Sequence, residues 1–406
     1  MAGGLEAGRT AACPSCGAEG HGFGQGPSPP RGGADGGGNP SAWPGCGLPS
    51  VAVPEAVLAL GTWLRAERYA DAYAHALDTD GPVARPFAPS LSALLRACPP
   101  GWPAPLWMLL AGGARCASAD LPADLRRLVP DLVEAGWLAP EADGGVRAAG
   151  WVAVGCCGGL LLPAGPPAAY GRPAARPRAY LGPDSLWLAR RVPAMAPGSL
   201  TWDLGCGTGI LGLSAARGGG RAVLTDLDGD AVRAAAAAAA WNDRASTVRA
   251  GAGDLAAPVA GLRFDLVVAL LPYLPVAPGA WLSRSAGGGP DGTALLRRAL
   301  AALPRVLKPD GRFLSFAYLL ADAGAPLLLR EPPPPGLRLR VQALASIPGD
   351  DLAPLLAEHA PGGLGADAAA AYRAHLAELG ATEAVAALVH ASPCGAGGPA
   401  GDDRGR

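Results

Sequence analysis

The 406-residue sequence predicts an α/β fold, and two patterns support this prediction. Between about residues 200 and 390, short apolar runs alternate with segments of helical spacing, which is typical of βαβ units around a parallel sheet. Residues 264–271 are wholly apolar from Leu266 onward, as expected for a strand buried on both faces. We therefore expect a mostly parallel sheet of seven strands, one of them antiparallel, with an alanine-rich helical insertion at about 351–379.

Residues 200–209 predict a strand, a tight turn and the start of a helix. An apolar run ends in Asp203, and a helical pattern begins at Ile210. Three glycines stand at alternate positions between them: Gly205, Gly207 and Gly209. Without Cβ atoms, such a turn lets a ligand lie against the backbone. The carboxylate beside it suits a ligand with an ammonium or sulfonium charge.

Two further acidic residues follow predicted strands. Asp226 ends the strand predicted at 221–225, where a carboxylate can hold ribose hydroxyls, and Asp254 follows the strand predicted at 247–250. A helix is predicted between them, at 229–241. The glycines also satisfy G-x-G-x-x-G, the nucleotide fingerprint of nicotinamide and flavin enzymes, but that match alone is weak.

The segment from Asp203 to Gly209 resembles motif I of the Rossmann-like (class I) methyltransferases. The resemblance implies a Rossmann-like methyltransferase domain that binds S-adenosyl-L-methionine, with Asp254 contacting the adenine amino group. The donor-binding residues it implies are Asp203, Gly205, Cys206, Gly207, Thr208, Gly209, Asp226, Leu227, Asp254 and Leu255.

The end of the fourth predicted strand indicates where the methyl acceptor would bind. Residues 287–298 resemble the GG-x-DG-x-x-x-x-RR segment of HemK-type release-factor glutamine methyltransferases, whose fourth strand ends in Asn-Pro-Pro-Tyr. The corresponding residues are Leu270, Leu271, Pro272 and Tyr273. The resemblance implies N-methylation of a protein side-chain amide, with Tyr273 stacking on the acceptor and the Leu271 carbonyl orienting it.

Leu270 departs from that pattern, because it lacks the amide oxygen of the family's asparagine. Losing one of two hydrogen-bond acceptors for a buried NH2 group costs about 1–3 kcal/mol. Three interpretations stay open. The protein methylates another acceptor, such as an RNA or DNA adenine or a small molecule; it methylates an amide slowly; or it is a pseudoenzyme that only binds the donor.

Composition divides the chain into five parts. Residues 1–53 form a Gly/Pro-rich tail predicted to be disordered, and 54–165 a unit of helices followed by a β-hairpin, which suggests a winged-helix-like domain. A Pro/Arg-rich linker at 166–178 precedes the methyltransferase domain at 179–393, and a disordered tail is expected at 394–406. We expect the second unit to fold independently and to position the acceptor.

Charge and cysteine content limit the expected partners. The formal net charge is −1, no apolar run reaches the length of a membrane span, and the cysteines are scattered. The HemK-type resemblance implies a protein acceptor such as a translation factor, with nucleic acid less favoured. We expect a cytoplasmic monomer without membrane association, and organelle import is the alternative location. Cys13, Cys16 and His21 resemble a zinc knuckle, but Gly26 stands where a fourth ligand is needed, so no metal is assigned.

Overall fold

The computed structural model describes residues 8–11, 48, 51–81, 86–88, 90–166, 179–280, 282–359 and 367–395. Its first part is mainly helical. It contains α1 (Glu55–Ala66), α2 (Tyr69–Leu77), α3 (Leu91–Arg96), α4 (Ala104–Gly112), α5 (Ala123–Glu134), β2 (Leu138–Pro140), β3 (Val146–Ala148), β4 (Val152–Cys156) and β5 (Leu160–Ala164).

The second part alternates strands and helices as the sequence predicts. It contains α6 (Pro183–Ala189), β6 (Leu200–Leu204), α7 (Ile210–Ala216), β7 (Arg221–Asp226), α8 (Gly229–Trp241), β8 (Val248–Ala252), β9 (Phe264–Ala269), α9 (Ala294–Val306), β10 (Leu307–Asp322), β11 (Ala325–Pro326), β12 (Leu337–Pro348), α10 (Gly349–His359), α11 (Ala368–Glu378) and β13 (Glu383–Pro393).

These strands share one sheet in the order β1-β12-β13-β10-β9-β6-β7-β8, with β11 paired to β10 and β1 formed by Gly8–Ala11. The β8-β7-β6-β9-β10 pairs are parallel, while β13 is antiparallel to both of its neighbours. The prediction of an α/β fold with a mostly parallel sheet is confirmed. Its strand count was too low, because β1 and β11 join the seven predicted strands.

Three local predictions need correction. The tail at 1–53 was expected to be disordered, yet Gly8–Ala11 pairs with β12. The helical spacing of residues 57–74 predicts one helix, but the structure has two, α1 and α2, because Arg68 takes a left-handed φ of 53° between them. The hairpin expected within 146–162 is instead two hairpins, β2-β3 and β4-β5, since the chain bends between Ala148 and Val152.

The amino-terminal unit packs directly onto α8 of the sheet domain. The buried Trp241 indole nitrogen donates to the Val57 carbonyl at 2.8 Å, and an added Cβ on Gly61 would overlap the indole ring. The Asn242 side chain bonds both the N–H and the carbonyl of Leu161, at 3.0 and 2.8 Å. One apolar cluster therefore runs through both units. This shared core buries apolar side chains of residues 54–165 against the sheet domain, which works against the expectation that the unit folds independently.

The described residues contain neither a candidate metal site nor a membrane-spanning helix. Cys13, Cys16 and His21 fall outside the described residues, and within those residues no group of three or more His, Cys, Asp or Glu side chains is placed to hold a metal ion. No helix in the described part of the chain combines the length and apolar character needed to cross a membrane.

Candidate functional site

A cavity of about 590 Å³ opens at the carboxyl ends of β6, β7 and β9. This is where parallel α/β sheets bind ligands, since the loops after their strands meet at that edge. The predicted site residues that line it are Gly205, Cys206, Gly207, Thr208, Asp226, Leu227, Asp254, Leu255, Leu270, Leu271 and Pro272. Asp203, Gly209 and Tyr273 are not among its lining residues. A second cavity, of about 390 Å³ beside the prolines at 332–335, contains none of the predicted residues.

The glycine turn has the backbone that the sequence predicts. Gly205, Gly207 and Gly209 have φ values of 69°, 51° and 79°, in the left-handed region that side chains with a Cβ disfavour. An added Cβ on Gly207 would lie 3.1 Å from the carbonyl oxygen of Tyr180, which crosses the turn there. The glycines therefore provide both the turn and the close approach of a second segment.

Asp203 does not face the cavity, contrary to the expectation that its carboxylate contacts the ligand. It is fully buried at the end of β6, and its Oδ2 accepts the Gly212 N–H at 2.8 Å, which ties α7 to the strand. Its Oδ1 has no hydrogen-bond partner among the described residues. Burial raises the pKa of Asp203 from 3.8 to about 8, and the nearby Asp226 adds to the increase. Asp203 therefore supports the turn from behind.

Asp226 lies at the cavity wall and holds two backbone segments together. One of its oxygens accepts the Gly207 N–H at 3.0 Å and the other accepts the Asp228 N–H at 2.9 Å. Burial raises its pKa, and these hydrogen bonds partly offset the increase. Each carboxylate oxygen can accept a second bond, so ribose hydroxyls could still bind there.

Beside the glycine turn, the hydroxyl oxygen of Thr208 is buried and has no hydrogen-bond partner among the described residues. A buried polar atom is stabilised when it forms a hydrogen bond, so this oxygen is suited to a polar ligand in the cavity. Thr208 itself is 1% exposed and belongs to the cavity wall.

The part of the cavity wall that follows β7 and β8 combines apolar side chains with the carboxylate of Asp254, which is paired with an arginine. Leu227 is 60% exposed, which is unusual for leucine, and Leu255 has a positive φ of 45°. Asp254 forms an ion pair with Arg298 of α9 at 2.7 Å, so α9 fixes its position. Arg298 belongs to the Arg-Arg pair of the predicted motif, and the structure gives it this role.

Tyr273 is not a cavity-lining residue, contrary to the expectation that it stacks on the acceptor. Its ring packs against Phe316 and Tyr318 of β10, with centroids 6.0 and 5.5 Å away, and its hydroxyl donates to Asp184 Oδ2 at 2.7 Å. Burial is the main cause that raises the pKa of Tyr273, and the charge of Asp184 adds to the increase. The three residues before it, 270–272, do line the cavity.

The glycine-rich segment that follows supports the backbone of this loop. An added Cβ on Gly288 would lie 2.6 Å from the Pro272 carbonyl oxygen, and one on Gly292 would overlap the carbonyl of Tyr273. The Gly288 N–H also donates to the Leu274 carbonyl at 2.8 Å. The GG-x-DG pattern is therefore explained by close packing beneath residues 272–274.

The sequence missed two parts of the cavity. Tyr180 lines it, and Asp184 lies beside it. The sequence predicts that Asp184-Ser185 caps a helix, but the residue that precedes α6 is Gly182. A loop of Leu282, Ser283, Arg284 and Ser285 lines the opposite side. Helix α11 supports this loop region, since a His375 ring nitrogen donates to the Pro290 carbonyl at 2.7 Å. These contacts join distant segments, and no local pattern signals them.

Residues 183–273 match a family model described as the methyltransferase small domain. Over 91 residues the chain is 42% identical to a ribosomal protein L11 methyltransferase of Pelotomaculum thermopropionicum. This stretch is 21% of the chain and 29% of the relative, so the chain spans less than a third of that relative's length. The matched stretch lies within the methyltransferase domain predicted from the sequence and contains all of the predicted site residues.

Solved methyltransferase structures are more distant. A geranyl diphosphate C-methyltransferase from Streptomyces coelicolor A3(2) is 14% identical, covering 52% of this chain and 77% of its own, with a TM-score of 0.32. A ribosomal protein L11 methylase from Lactobacillus delbrueckii subsp. bulgaricus is 21% identical, covering 34% and 62%, with a TM-score of 0.25. A 16S rRNA methyltransferase from T. thermophilus is 18% identical, covering 58% and 60%, with a TM-score of 0.31.

Proposed function

We propose that this protein is an S-adenosyl-L-methionine-dependent methyltransferase that methylates a nitrogen of a protein acceptor, with a glutamine-type side-chain amide as the acceptor group. The observation that carries the proposal is that one cavity is lined both by the glycine turn and by residues 270–272. A donor and an acceptor bound in one enclosed space can be held in line for direct transfer.

The cavity walls fit the methyl donor. Asp226 presents carboxylate oxygens for the ribose hydroxyls, and Thr208 has a buried hydroxyl without a protein partner. Leu227 and Leu255 offer apolar surfaces for the adenine ring. Asp254, which precedes Leu255 and also lines the cavity, offers a carboxylate for the adenine amino group. When bound, the donor supplies a methyl group on a sulfonium centre. The chain's own residues orient the acceptor and exclude water.

The charge pattern of the amino-terminal unit favours a protein over a nucleic acid. Helix α5 is followed by the β2-β3 hairpin, and a bridge joins Cys116 to Val146, which supports the winged-helix-like interpretation of this unit. Nucleic-acid binding needs free cations for the phosphates. Here Arg115, Arg127 and Arg147 form ion pairs within the unit. We propose that this unit docks a protein acceptor, as the relative's action on a ribosomal protein also suggests.

The amide assignment rests on the HemK-like segment. Residues 287–292 pack beneath Pro272 and Tyr273, so the acceptor-side loop keeps a defined shape although Leu270 replaces the family's asparagine. The backbone carbonyl of Leu271 is available to orient an NH2 group. With only one such acceptor, the proposed activity toward an amide is lower than that of the family pattern by roughly 5- to 150-fold.

Labelling with tritiated donor tests the function. The protein is incubated with the donor and a whole-cell lysate, and the label is separated into protein, nucleic-acid and small-molecule fractions. We expect label in protein, stable to base treatment that cleaves methyl esters, and donor binding in titration calorimetry. Label confined to RNA or to small molecules would contradict the acceptor class. Donor binding without any labelling would identify a pseudoenzyme.

A further inference from the structure

Asp184 holds two tyrosine side chains beside the cavity. Its Oδ1 accepts the Tyr180 hydroxyl at 3.1 Å and the Ser185 N–H at 2.9 Å, and its Oδ2 accepts the Tyr273 hydroxyl at 2.7 Å. Hydrogen bonds to an ionised carboxylate are stronger than those between neutral groups. The carboxylate is therefore fixed between a tyrosine from the segment before α6 and one from the loop after β9.

Tyr180 links the glycine turn to the polar cluster around Asp184. It lines the cavity, and its carbonyl oxygen packs on the Gly207 position of the glycine turn. An added Cβ on Gly182 would overlap the Tyr180 hydroxyl, so the glycine leaves room for this side chain. Pro272, on the acceptor side, precedes the second tyrosine partner of Asp184 and also lines the cavity. The polar cluster thus borders both the glycine turn and the acceptor-side loop.

We propose that Tyr180 and Asp184 form a proton relay that removes the acceptor's N–H proton during methyl transfer. The proposal rests on the proposed function, since it needs an acceptor nitrogen that must lose a proton. It also gives the acceptor nitrogen a polar partner, Tyr180, where Leu270 lacks the amide oxygen of the family's asparagine. Tyr273 has a positioning role, since its hydroxyl holds Asp184 Oδ2.

The proton moves in two linked transfers. The acceptor N–H bond breaks, its electron pair stays on nitrogen, and the proton bonds to the Tyr180 hydroxyl oxygen, which has a lone pair to accept it. The proton already on Tyr180 passes to Asp184 Oδ1, which becomes a carboxylic acid and later releases the proton to water. When bound, the donor supplies the methyl group, and the electron pair of its breaking carbon–sulfur bond stays on sulfur.

The surrounding groups make Asp184 the final proton acceptor. Among the described residues, the ionisable side chains that interact with Asp184 are Tyr180, Tyr273 and Tyr318. Burial raises the pKa of Tyr273 well above its ordinary value, and that of Tyr318 is raised for the same reason. Tyr273 and Tyr318 therefore stay protonated near neutral pH, which leaves the carboxylate of Asp184 as the group that takes the proton.

Asp184→Asn and Tyr180→Phe test the relay in the full chain. Asn keeps the size of the carboxylate and an oxygen for one tyrosine, but it cannot take a proton. Both variants should bind donor within about 3-fold of wild type in calorimetry, while labelling of lysate protein falls by about 100-fold or more, the contribution expected of acid–base catalysis. Tyr372→Phe is the matched control, since it removes the hydroxyl of a buried tyrosine of α11 whose partner is the Pro275 carbonyl. It should label normally.

Ultraviolet absorbance titration of the tyrosines gives a second readout that needs no acceptor. Asp184→Asn removes a charge that adds to the raised pKa of Tyr273, so the last tyrosines to ionise should do so at lower pH than in wild type. An unchanged titration would contradict the cluster. Labelling by Asp184→Asn within 3-fold of wild type would overturn the relay and leave the proposed function standing. A wild-type protein that binds donor and labels nothing would instead contradict the proposed function.

Discussion

The donor half and the acceptor half of the cavity are built in different ways. The donor half is the β6–α7 turn, whose glycines and following helix are contiguous in sequence. The acceptor half joins residues 270–273 to Asp184, which is 89 positions from Tyr273, and to the glycines beneath the loop. A local turn keeps its shape because its own residues require it, whereas the acceptor half depends on contacts between distant segments. The donor half should therefore tolerate changes that disable the acceptor half.

The largest expected effect tests the support behind the donor half. Burial raises the pKa of Asp203 to about 8, so the folded protein binds this proton more tightly than the unfolded chain. Stability from the proton is present at low pH and is lost as pH rises from about 4 to 8, by at most about 1.4 kcal/mol per pH unit. Asp203→Asn has no such proton.

Urea unfolding at several pH values between 5 and 8 measures this difference. The free energy of unfolding of wild type should fall relative to Asp203→Asn across the range, because only the wild type loses the stabilising proton. The cost of burying the amide in Asp203→Asn does not vary with pH, so it does not affect how the free energy of unfolding changes with pH. Parallel curves for the two proteins would show that Asp203 is ionised in the folded state and that the carboxyl has a partner at neutral pH.

A pair of glycine substitutions separates the halves. Gly207→Ala places a Cβ near the Tyr180 carbonyl and should weaken donor binding by about 10-fold or more, since strain of 1–3 kcal/mol falls on the turn. Gly292→Ala overlaps the Tyr273 carbonyl and should reduce labelling while donor affinity stays near that of wild type. Gly261 also has a positive φ, of 84°, and an added Cβ there meets no atom within 4 Å, so Gly261→Ala controls for backbone strain.

Calorimetry and lysate labelling of the three variants give the outcome. Loss of donor binding by Gly292→Ala, with the fold intact by circular dichroism, would show that the two halves are not independent.

Restoring the family pattern tests the acceptor half directly. Leu270→Asn with Leu271→Pro supplies the missing amide oxygen, so turnover on an amide acceptor should rise by roughly 5- to 150-fold. Leu270→Ala with Leu271→Pro is the control, since it changes the side chain without adding an acceptor. Release-factor peptides and the labelled lysate protein are the substrates. A restored variant that binds donor but is inert toward amides, while wild type methylates an oxygen, carbon or RNA acceptor, would exclude the glutamine-type assignment.

Asp226→Ala tests the ribose contact of the donor half. It removes the carboxylate at the ribose position, and we expect donor affinity to fall at least about 10-fold, or about 1.4 kcal/mol. The change also leaves the Gly207 N–H without its partner, so Asp226→Asn, which keeps one acceptor oxygen, serves as the comparison. Unchanged affinity for both variants in titration calorimetry would contradict the assignment of this residue to the donor.

The sequence by itself determined the elements whose conformation is local. Helix α8 has the predicted bounds, Gly229–Trp241. Asp228 caps its N-terminus, and an uninterrupted run of helix-forming residues follows. The glycine turn has the expected positive φ values, since left-handed backbone needs glycine at those positions. The strands that carry the cavity were visible as apolar runs, because both faces of the sheet are covered. The donor half follows from these elements.

Only the tertiary structure decided which way the polar side chains face and what they contact. Asp203 stands beside the ligand turn in sequence, yet it points behind the turn to Gly212. Tyr273 bonds Asp184, and Trp241 bonds Val57 across 184 positions. Such contacts depend on how whole elements pack, since each gains its stability only after the chain has closed the intervening loop. Residue spacing records local geometry and contains no comparable signal for these pairs.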